Sequence, residues 1–356
     1  MKVLIMPYFN RNPYQNLLAK ALSKHGIKIE FENDFRLVKI LNVMTGNRRP
    51  DILHIHWIYP YMMEKNKYKS ILLSNLFILK LIMLKALGIK IIWTVHNTLN
   101  HERQFISIDL FYRKLLARVS NKIIAHGEQA KSEIMELYGL SKNSRVSIVH
   151  HGNYLDVYQN KISKIEARKR LKIDGKSRVL LYFGYIRQYK GIPELLNVFK
   201  RLKESNVILL IIGNPKNKEV VELLKKECQN IKNVKLHLEY IHDDDIQIYM
   251  NAADFVVLPF KSILSSGSMM LALSFGKPIV APDLGHINEI LDKKGNIVYD
   301  PNEKGALFKS VQTCLMYTDK KIEQMGENNL KIAKKYDWDN IGDCTYKIYQ
   351  TTLKKT

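Results

Sequence analysis

Short apolar runs alternate with helix-period segments along nearly the whole chain. Segments such as Gln15–Lys24 repeat their apolar residues with the spacing of an amphipathic helix. Continuous apolar runs joined by such helices are typical of a parallel sheet covered on both faces. The runs that predict strands are Val3–Met6, Ile27–Phe31, Asp51–His54, Ile89–Val95, Lys122–Ala125, Val146–Val149, Val179–Phe183, Val207–Ile212, Val234–Leu238, Phe255–Leu258, Pro278–Ala281 and Ile297–Tyr299.

The alternation breaks once, in a polar and lysine-rich stretch at 158–177 that we interpret as a linker. The sequence therefore predicts an α/β protein of two Rossmann-like, doubly wound domains. We place them at 1–160 and 161–336, and expect a C-terminal helix within 337–356 to pack back toward the N-terminal domain. Open parallel sheets bind ligands at the carboxyl ends of their strands, so we expect a cleft between the two domains to be the site.

The chain carries a strong positive charge. The 356 residues carry a formal net charge of +22, which favours phosphates, nucleic acid or an anionic membrane as partners. Between Lys65 and Lys90 there are six lysines and no acidic residue, interleaved with Leu, Ile, Phe and Met. Such a segment suits a membrane surface, and a solvated face of a lysine-rich protein is an equal alternative.

The cysteines and apolar runs exclude several protein classes. Cys228, Cys314 and Cys344 are too few and too far apart for a disulfide framework or a zinc site. No apolar run approaches the roughly 20 residues that span a membrane, and the N-terminal run is too short for a signal peptide. We therefore expect a cytoplasmic protein that can lie peripherally on the inner face of the plasma membrane.

A glycine-containing loop with two cations follows the first strand of the second half. Gly184 ends the strand, and Gly191 precedes a helix, which allows a tight turn and close approach of the backbone to a ligand. Arg187 and Lys190 lie beside the helix N-terminus, where backbone N–H groups already favour anions. The order of these parts predicts a diphosphate clamp, and the alternative is a solvent-facing basic turn.

Two further loops in the second half complete the predicted phosphate-binding site. Small residues before a helix, at Ser265, Ser266, Gly267 and Ser268, predict a second phosphate or ribose cradle. A plain helix cap would explain the serines equally well, and only the pairing with the first loop favours a ligand site. Gly213-Asn214 closes a strand and could wall a nucleotide base, although it is also an ordinary turn.

Candidate catalytic residues lie in the first half. His96 ends a strand, so it could contact a sugar hydroxyl or a phosphate or transfer a proton, although a buried structural histidine is the alternative. Glu102 is a candidate general base and Asp51 a weaker one.

Neither a dinucleotide cofactor nor a metal is expected. The chain has no G-x-G-x-x-G fingerprint, which disfavours NAD and FAD. His54 and His56 share a strand face, but further metal ligands cannot be placed beside them. The run Asp243-Asp244-Asp245 precedes a short predicted helix, where acids stabilise the helix dipole, so we interpret it as a cap.

These motifs, in this order, resemble the GT-B fold glycosyltransferases. The sequence is similar to the broad family 4 group and, more closely, to bacterial exopolysaccharide mannosyltransferases that use GDP-mannose and a glycolipid. The matching pieces are Asn12-Pro13-Tyr14, His54-Ile55-His56-Trp57, Thr94-Val95-His96-Asn97 with His101-Glu102, His151-Gly152-Asn153-Tyr154, Phe183–Gly191, Gly213-Asn214-Pro215, Leu258-Pro259-Phe260-Lys261, Ser266-Gly267-Ser268 and Leu271–Ser274.

The resemblance implies metal-independent transfer of a hexose from a nucleotide sugar to a lipid-linked saccharide in surface polysaccharide biosynthesis. Arg187 and Lys190 would hold the diphosphate, Ser266 to Ser268 the phosphates from the other side, and His96 would line the sugar pocket. The N-terminal domain would bind the acceptor, and the C-terminal domain would bind the donor. The acceptor side would include Asn12, Tyr14, His56 and His151.

One departure bears on the mechanism. Family 4 enzymes carry two glutamates at positions that correspond to Ile263 and Leu271, and neither residue can replace a carboxylate. The resemblance then favours inversion, which needs a base, and Glu102 is the first choice before His96 and Asp51. A retaining transferase with a UDP-sugar donor stays open, as does a non-catalytic binding protein. A nucleic-acid-binding protein is disfavoured because no recognisable nucleic-acid motif is present.

Overall fold

A computed structural model describes residues 1–33, 49–100, 104–141, 145–202, 204, 206–229 and 231–354. The chain divides into two compact units. The first unit comprises Met1–Gly152 with Asp337–Thr356, and the second comprises Asn153–Tyr336. None of the helices in the described part of the chain combines the length and apolarity needed to span a bilayer.

The first unit is built on a six-stranded, fully parallel sheet of order β2-β1-β3-β4-β5-β6. Its central strands are buried on both faces, as their continuous apolar runs predict. The strands are β1 (Lys2–Met6), β2 (Lys28–Phe31), β3 (Ile52–Ile55), β4 (Lys90–Thr94), β5 (Lys122–Ala125) and β6 (Val146–Ile148).

Helices cover this sheet and begin where the sequence supplies capping groups. In the first helix, Asn12 accepts a hydrogen bond from the N–H of Tyr14, and Pro13 occupies the first turn, where its missing N–H costs nothing. The helices of this unit are α1 (Pro13–Ser23), α2 (Tyr59–Met62), α3 (Lys67–Ala86), α4 (Ile106–Val119), α5 (Glu128–Tyr138) and the C-terminal helix Trp338–Lys354.

The C-terminal helix packs against helix α1 of the first unit. Gly342 lies against Ala21, where an added Cβ would come within 2.7 Å of the alanine Cβ. Tyr349 is fully buried, and its hydroxyl is 2.6 Å from His54 Nδ1 on strand β3. The last helix therefore contributes to the core of the first unit, although the whole second unit separates them in sequence.

The second unit repeats the architecture with a six-stranded parallel sheet of order β12-β11-β10-β7-β8-β9. With this sheet the twelve predicted strands and the α/β fold class are confirmed. The strands are β7 (Arg178–Phe183), β8 (Val207–Ile212), β9 (Val234–His237), β10 (Phe255–Val257), β11 (Ile279–Pro282) and β12 (Asn296–Tyr299). The helices are α6 (Lys164–Arg170), α7 (Ile192–Arg201), α8 (Lys218–Cys228), α9 (Ile246–Ala252), α10 (Gly267–Ser274), α11 (Ile287–Ile290), α12 (Ala306–Met316) and α13 (Asp319–Lys334), and two 3₁₀ turns span Gln188–Lys190 and Asp243–Asp245.

The stretch interpreted as a linker, at 158–177, is instead part of the second unit. It contains helix α6, which Arg168 anchors by donating to the buried carboxylate of Asp254 at 2.8 Å. Asp254 also accepts from the backbone N–H of Val179 at the start of strand β7. The polar pattern misled because the basic residues of this helix pair with a buried acid rather than face water throughout.

The division between the units falls before the predicted boundary at 160/161. Asn153 already belongs to the second unit, where its N–H donates to the carbonyl of Tyr336 at 2.8 Å. The N–H of Tyr154 donates to Ser274 Oγ, also at 2.8 Å. These bonds connect Asn153 and Tyr154 to the second unit.

Candidate active site

The first predicted donor loop connects strand β7 to helix α7 at the carboxyl edge of the second sheet. Its backbone has φ angles of 139° at Gly184 and 73° at Gly191, values that side chains rarely adopt. A Cβ at Gly191 would overlap the carbonyl oxygen of Pro259. Glycine is thus required at position 191 for both conformation and space.

The first and second predicted donor loops lie side by side. The N–H of Lys261 donates to the carbonyl of Tyr189 at 2.9 Å. A Cβ on Gly184 would come within 2.6 Å of Ser268 Oγ, which stands in the first turn of helix α10. This closeness follows from the pairing of β7 with β10, which brings their carboxyl ends to one place.

The third predicted loop, Gly213-Asn214-Pro215, follows strand β8 and packs against the first. The N–H of Ile186 donates to the carbonyl of Asn214 at 3.0 Å, and Ile186 also forms a bridge with Pro215. A Cβ at Gly213 would overlap the backbone of Gly184. The structure therefore brings together the three loops that the sequence singled out in this unit.

Two cations of different character lie in these loops. Lys190 is 8% exposed, and its ammonium lies 4.3 Å from the centre of the Phe260 ring and 5.1 Å from that of Tyr189. Burial, together with the charge of Arg187, lowers the pKa of Lys190 to about 7. Arg187 Nη1 donates to the carbonyl of Ile186 at 2.9 Å. Among the described residues no carboxylate pairs with Lys190, and a phosphate could supply that anion.

The small residues of the second loop have different surroundings. Ser266 is buried and accepts a hydrogen bond from the N–H of Met269 at 3.1 Å, so its side chain caps helix α10. Ser265, Gly267 and Ser268 are partly exposed. The first-turn N–H groups of this helix, rather than the buried Ser266 side chain, are the donors that a ligand could reach.

In the first unit, histidines follow four neighbouring strands at the carboxyl edge of the sheet. His56 comes after β3, His96 after β4, His126 after β5 and His151 after β6, and all four are buried. Tyr14, from helix α1, packs against these rings with centroid distances from 5.0 to 5.9 Å. This edge is filled by imidazole and aromatic rings.

Three of these imidazoles form one directed chain of hydrogen bonds. His126 Nδ1 is 2.8 Å from the carbonyl oxygen of Val149, which can only accept, so this nitrogen carries the proton. His126 Nε2 must then accept from His96 Nδ1 at 3.2 Å, and His96 Nε2 accepts from His56 Nδ1 at 3.0 Å. Among the described residues, nothing partners His56 Nε2, which is left as a buried acceptor.

Burial keeps these rings neutral. It lowers the pKa of His126 and of His54 to about 3, and lowers the pKa of His56 and of His96 well below the usual value. His96 uses both ring nitrogens within the chain. It is therefore a structural link between two other histidines in this arrangement, with neither nitrogen left for a substrate.

The other predicted residues of the first unit have different outcomes. Asp51 precedes strand β3, at the amino edge of the sheet, and its carboxylate accepts from the N–H of Lys2 at 2.7 Å. The structure therefore does not bring Asp51 to the histidines, which corrects its grouping with His96. Asn12 is occupied as the cap of helix α1. Glu102 lies outside the described residues.

Two residues at this edge of the first sheet, His126 and Trp338, were not predicted from the sequence. His126 directly follows the strand Lys122–Ala125, so the argument that selected His96 would also have found it. Trp338 packs against Tyr14 at 5.3 Å between ring centres, and only the fold could have revealed this, since more than three hundred residues separate them. Within the described ranges, no group of three or more His, Cys, Asp or Glu is placed to hold a metal ion.

Comparison with known proteins agrees with this architecture. Residues 163–332 match the family described as glycosyl transferases group 1. A GDP-mannose:glycolipid 4-beta-D-mannosyltransferase of Xanthomonas campestris is 24% identical over 98% of this chain and 91% of its own length. A lipopolysaccharide 1,2-N-acetylglucosaminetransferase of Salmonella typhimurium is 29% identical over 55% of this chain and 54% of its own.

Solved structures share the whole fold at low sequence identity. Sucrose-phosphate synthase from Thermosynechococcus elongatus superimposes with a TM-score of 0.79 at 14% identity, covering 100% of this chain and 99% of that one. Anabaena Alr3699/HepE in complex with UDP and glucose gives 0.75 at 17% identity, covering 99% and 100%. The chain is therefore a glycosyltransferase with the GT-B fold, and residues 163–332, within its second unit, match the group 1 glycosyl transferases.

Proposed function

We propose that this enzyme transfers mannose from GDP-mannose to a lipid-linked saccharide during the synthesis of a surface polysaccharide. The observation that carries the proposal is the meeting of the loops Gly184–Gly191 and Leu258–Ser268 around Arg187 and Lys190. The Xanthomonas relative, which is named for GDP-mannose and a glycolipid and aligns over 98% of this chain, supports the choice of donor and acceptor.

The second unit would neutralise the diphosphate as it leaves. The planar guanidinium of Arg187 offers forked donors, and Lys190 supplies a compact charge once an anion stabilises its protonated form. The N–H groups at the start of helix α10 add donors from the neighbouring loop. As the bond between the sugar and the diphosphate breaks, these groups stabilise the developing negative charge, which lowers the barrier. No metal or other cofactor is required for this step.

The first unit would present the acceptor. The acceptor oxygen forms the new bond to the sugar while its proton passes to a base, and we propose Glu102 for this role, with inversion at the anomeric carbon. The engagement of both ring nitrogens of His96 supports the carboxylate over the imidazole. The Glu102→Gln variant should lose turnover by about a hundredfold or more while donor binding stays unchanged. Turnover within a few-fold of wild type would remove Glu102 from the mechanism.

We further propose that the enzyme acts as a peripheral protein at the inner face of the plasma membrane. The lipid-linked acceptor would require this location, and the net charge of +22 favours an anionic surface.

The deciding experiment is calorimetric titration of the purified protein with GDP and with UDP, in the absence of metal ions. We expect GDP to bind more tightly than UDP, and Arg187→Ala to weaken the binding of GDP. A preference for UDP, the nucleotide present in the Anabaena structure, would keep the donor site but replace the mannosyl donor with a UDP-sugar. If neither nucleotide bound at millimolar concentration, a non-catalytic role would replace the proposal.

A further inference from the structure

The outward side of helix α3 is apolar. Leu72, Leu79 and Ile82 are 59%, 55% and 48% exposed, values typical of polar residues on a helix that covers a sheet. With neighbouring residues they form a surface that we call the apolar ridge. Its members are Tyr68, Leu72, Leu76, Leu79, Ile82, Met83 and Leu87 on α3 and the turn after it, and Ile106 and Phe111 on α4.

Helix α3 is apolar on its inward side as well. Phe77, Leu81 and Leu84 are buried against the rest of the first unit. A helix that is hydrophobic all round normally lies inside a protein or in contact with lipid. Nine of the sixteen large hydrophobic residues that are exposed in the described structure belong to the apolar ridge. The concentration of exposed apolar residues on two helices therefore indicates a surface that a partner covers.

The two helices that carry the ridge are fixed to each other. The hydroxyl of Tyr112 on α4 donates to Asn75 Oδ1 at 2.8 Å and to the carbonyl of Ile71 at 3.3 Å, both on α3. Phe111, the neighbour of Tyr112, is 56% exposed. The ridge is therefore a preformed surface, and a partner would bind it without an ordering cost for the helices.

The charges around the ridge indicate the chemistry of that partner. Lys65, Lys67 and Lys69 surround the N-terminal end of α3, where the helix dipole disfavours cations, and the first turn contains no acid. Placing lysines there costs stability unless an anion lies nearby. Glu64, directly before Lys65, is one carboxylate beside three lysines, and the segment Lys65–Lys90 contains no further acidic residue.

We propose that the apolar ridge inserts into the headgroup region of an anionic bilayer, with the flanking lysines on lipid phosphates. This rests on the proposed function in that a lipid-linked acceptor would be reached from the same surface. Apolar side chains beside lysines are the usual composition of a helix that lies in a membrane interface. A second copy of the chain is a poorer occupant, because the contact would bring together two lysine-rich surfaces of a protein whose net charge is +22.

The test is co-sedimentation of the full chain with vesicles of phosphatidylglycerol and phosphatidylcholine. The double variant Leu76→Asp, Leu79→Asp should lower vesicle partitioning by about tenfold or more, because it removes apolar burial and adds charges that anionic lipid repels. The matched control is Leu223→Asp with Met316→Asp, two residues of the second unit that are 54% and 82% exposed. The control should partition like wild type.

A second pair of measurements separates insertion from attraction. Raising the salt concentration should weaken binding only in part, since insertion of apolar side chains is not screened. Lys65→Gln with Lys67→Gln should lower partitioning by a smaller factor than the leucine pair and should reduce the effect of salt. Binding abolished by salt alone, or equal partitioning of the leucine variant and its control, would overturn insertion.

The outcomes also distinguish this proposal from the proposed function. Nucleotide binding by the leucine variant should match wild type, which would show that the variant is folded. If wild type bound vesicles but no nucleotide, the ridge would stand and the enzymatic proposal would fail. If ultracentrifugation without lipid revealed self-association that the leucine variant abolished, a second copy would occupy the ridge and the membrane proposal would be wrong.

Discussion

The carboxyl edges of the two sheets differ sharply, although both sheets are parallel, six-stranded and covered by helices. In the second unit the edge consists of loops with glycines at 184, 191 and 213, two cations and the start of a helix. In the first unit the same edge is filled by buried histidines, Tyr14 and tryptophans. One edge consists of glycine-containing loops beside two cations, and the other consists of rings that pack against each other.

The comparison shows that topology places a site without deciding its chemistry. Parallel strands direct whatever follows them to one edge. Glycine there lets backbone groups approach closely, while histidine there builds a hydrogen-bonded core. The four predictions below act on one edge while leaving the other as an internal control.

The largest effect is expected from acid, on the first unit. The pKa of His54 and of His126 is about 3 in the folded chain, against an ordinary value of 6.5. Below pH 6.5 these histidines are therefore protonated in the unfolded state but not in the folded state. The free energy of unfolding decreases as the pH is lowered from 6.5 to about 3. Each such histidine removes about 1.4 kcal/mol of unfolding free energy per pH unit.

Urea unfolding followed by tryptophan fluorescence would measure this loss, because Trp57, Trp93 and Trp338 all lie in the first unit. When the pH is lowered from 7 to 5, the urea concentration at the midpoint of unfolding should decrease. The decrease should be larger than the protonation of a single histidine accounts for. His242→Gln, at an exposed position, should leave that dependence unchanged. A midpoint that did not vary over this range would contradict neutral burial of the chain of histidines.

The second prediction concerns Gly191, at the carboxyl edge of the second sheet. Gly191→Ala should weaken nucleotide binding by about a hundredfold, because the new methyl overlaps the Pro259 carbonyl and the backbone conformation is strained. Gly175→Ala is the matched control, since a Cβ there meets nothing within 4 Å. Calorimetry gives both affinities, and equal values would show that the loop is not part of the donor site.

The third prediction removes a charge without changing the backbone. Arg187→Ala should reduce affinity for a nucleoside diphosphate by about ten- to thirtyfold, the usual cost of losing hydrogen bonds from a charged donor. Arg170→Ala, which removes an exposed arginine paired with Glu166, serves as control. Nucleoside monophosphate binding should change less. If both nucleotides weakened equally, Arg187 would contact something other than the terminal phosphate.

The smallest effect is a pH dependence of donor binding. With a pKa of about 7, Lys190 is largely protonated below pH 7 and loses its charge above it. A bound diphosphate favours the charged form, so binding takes up a proton at higher pH. Affinity should be constant below pH 6 and fall by up to about tenfold per unit above pH 7. In Lys190→Gln this slope should disappear, and its persistence would assign the proton to another group.

The carboxyl edges of the two sheets also differ in how much of each could be predicted from the sequence. Glycines and cations at strand ends carry a local signal, so the three loops that meet at the second unit's edge could be selected from residues close together in the chain. The first unit's edge depends on long-range packing. His96 could be found beside its strand, but its engagement by His56 and His126 follows from strand order, which one sequence does not give.

Helix α6 and Asp51 show two further limits. The helix was obscured because its basic residues satisfy a buried acid, Asp254, about ninety residues later. Asp51 was selected as a base although it precedes its strand, and the direction of a parallel strand sends such a residue to the opposite edge of the sheet. The boundaries of helices also differ by one or two residues, as for α1, expected at Gln15–Lys24 and found at Pro13–Ser23.

The return of the C-terminal helix to the first unit has a consequence for synthesis on the ribosome. The second unit is one continuous stretch, so all of its strands are available for pairing before residue 337 emerges. The first unit is completed later, because His54 and Ala21 gain their partners Tyr349 and Gly342 only from the segment that follows the second unit. During translation the second unit can therefore fold first, while the first unit still lacks the helix that covers Ala21 and His54.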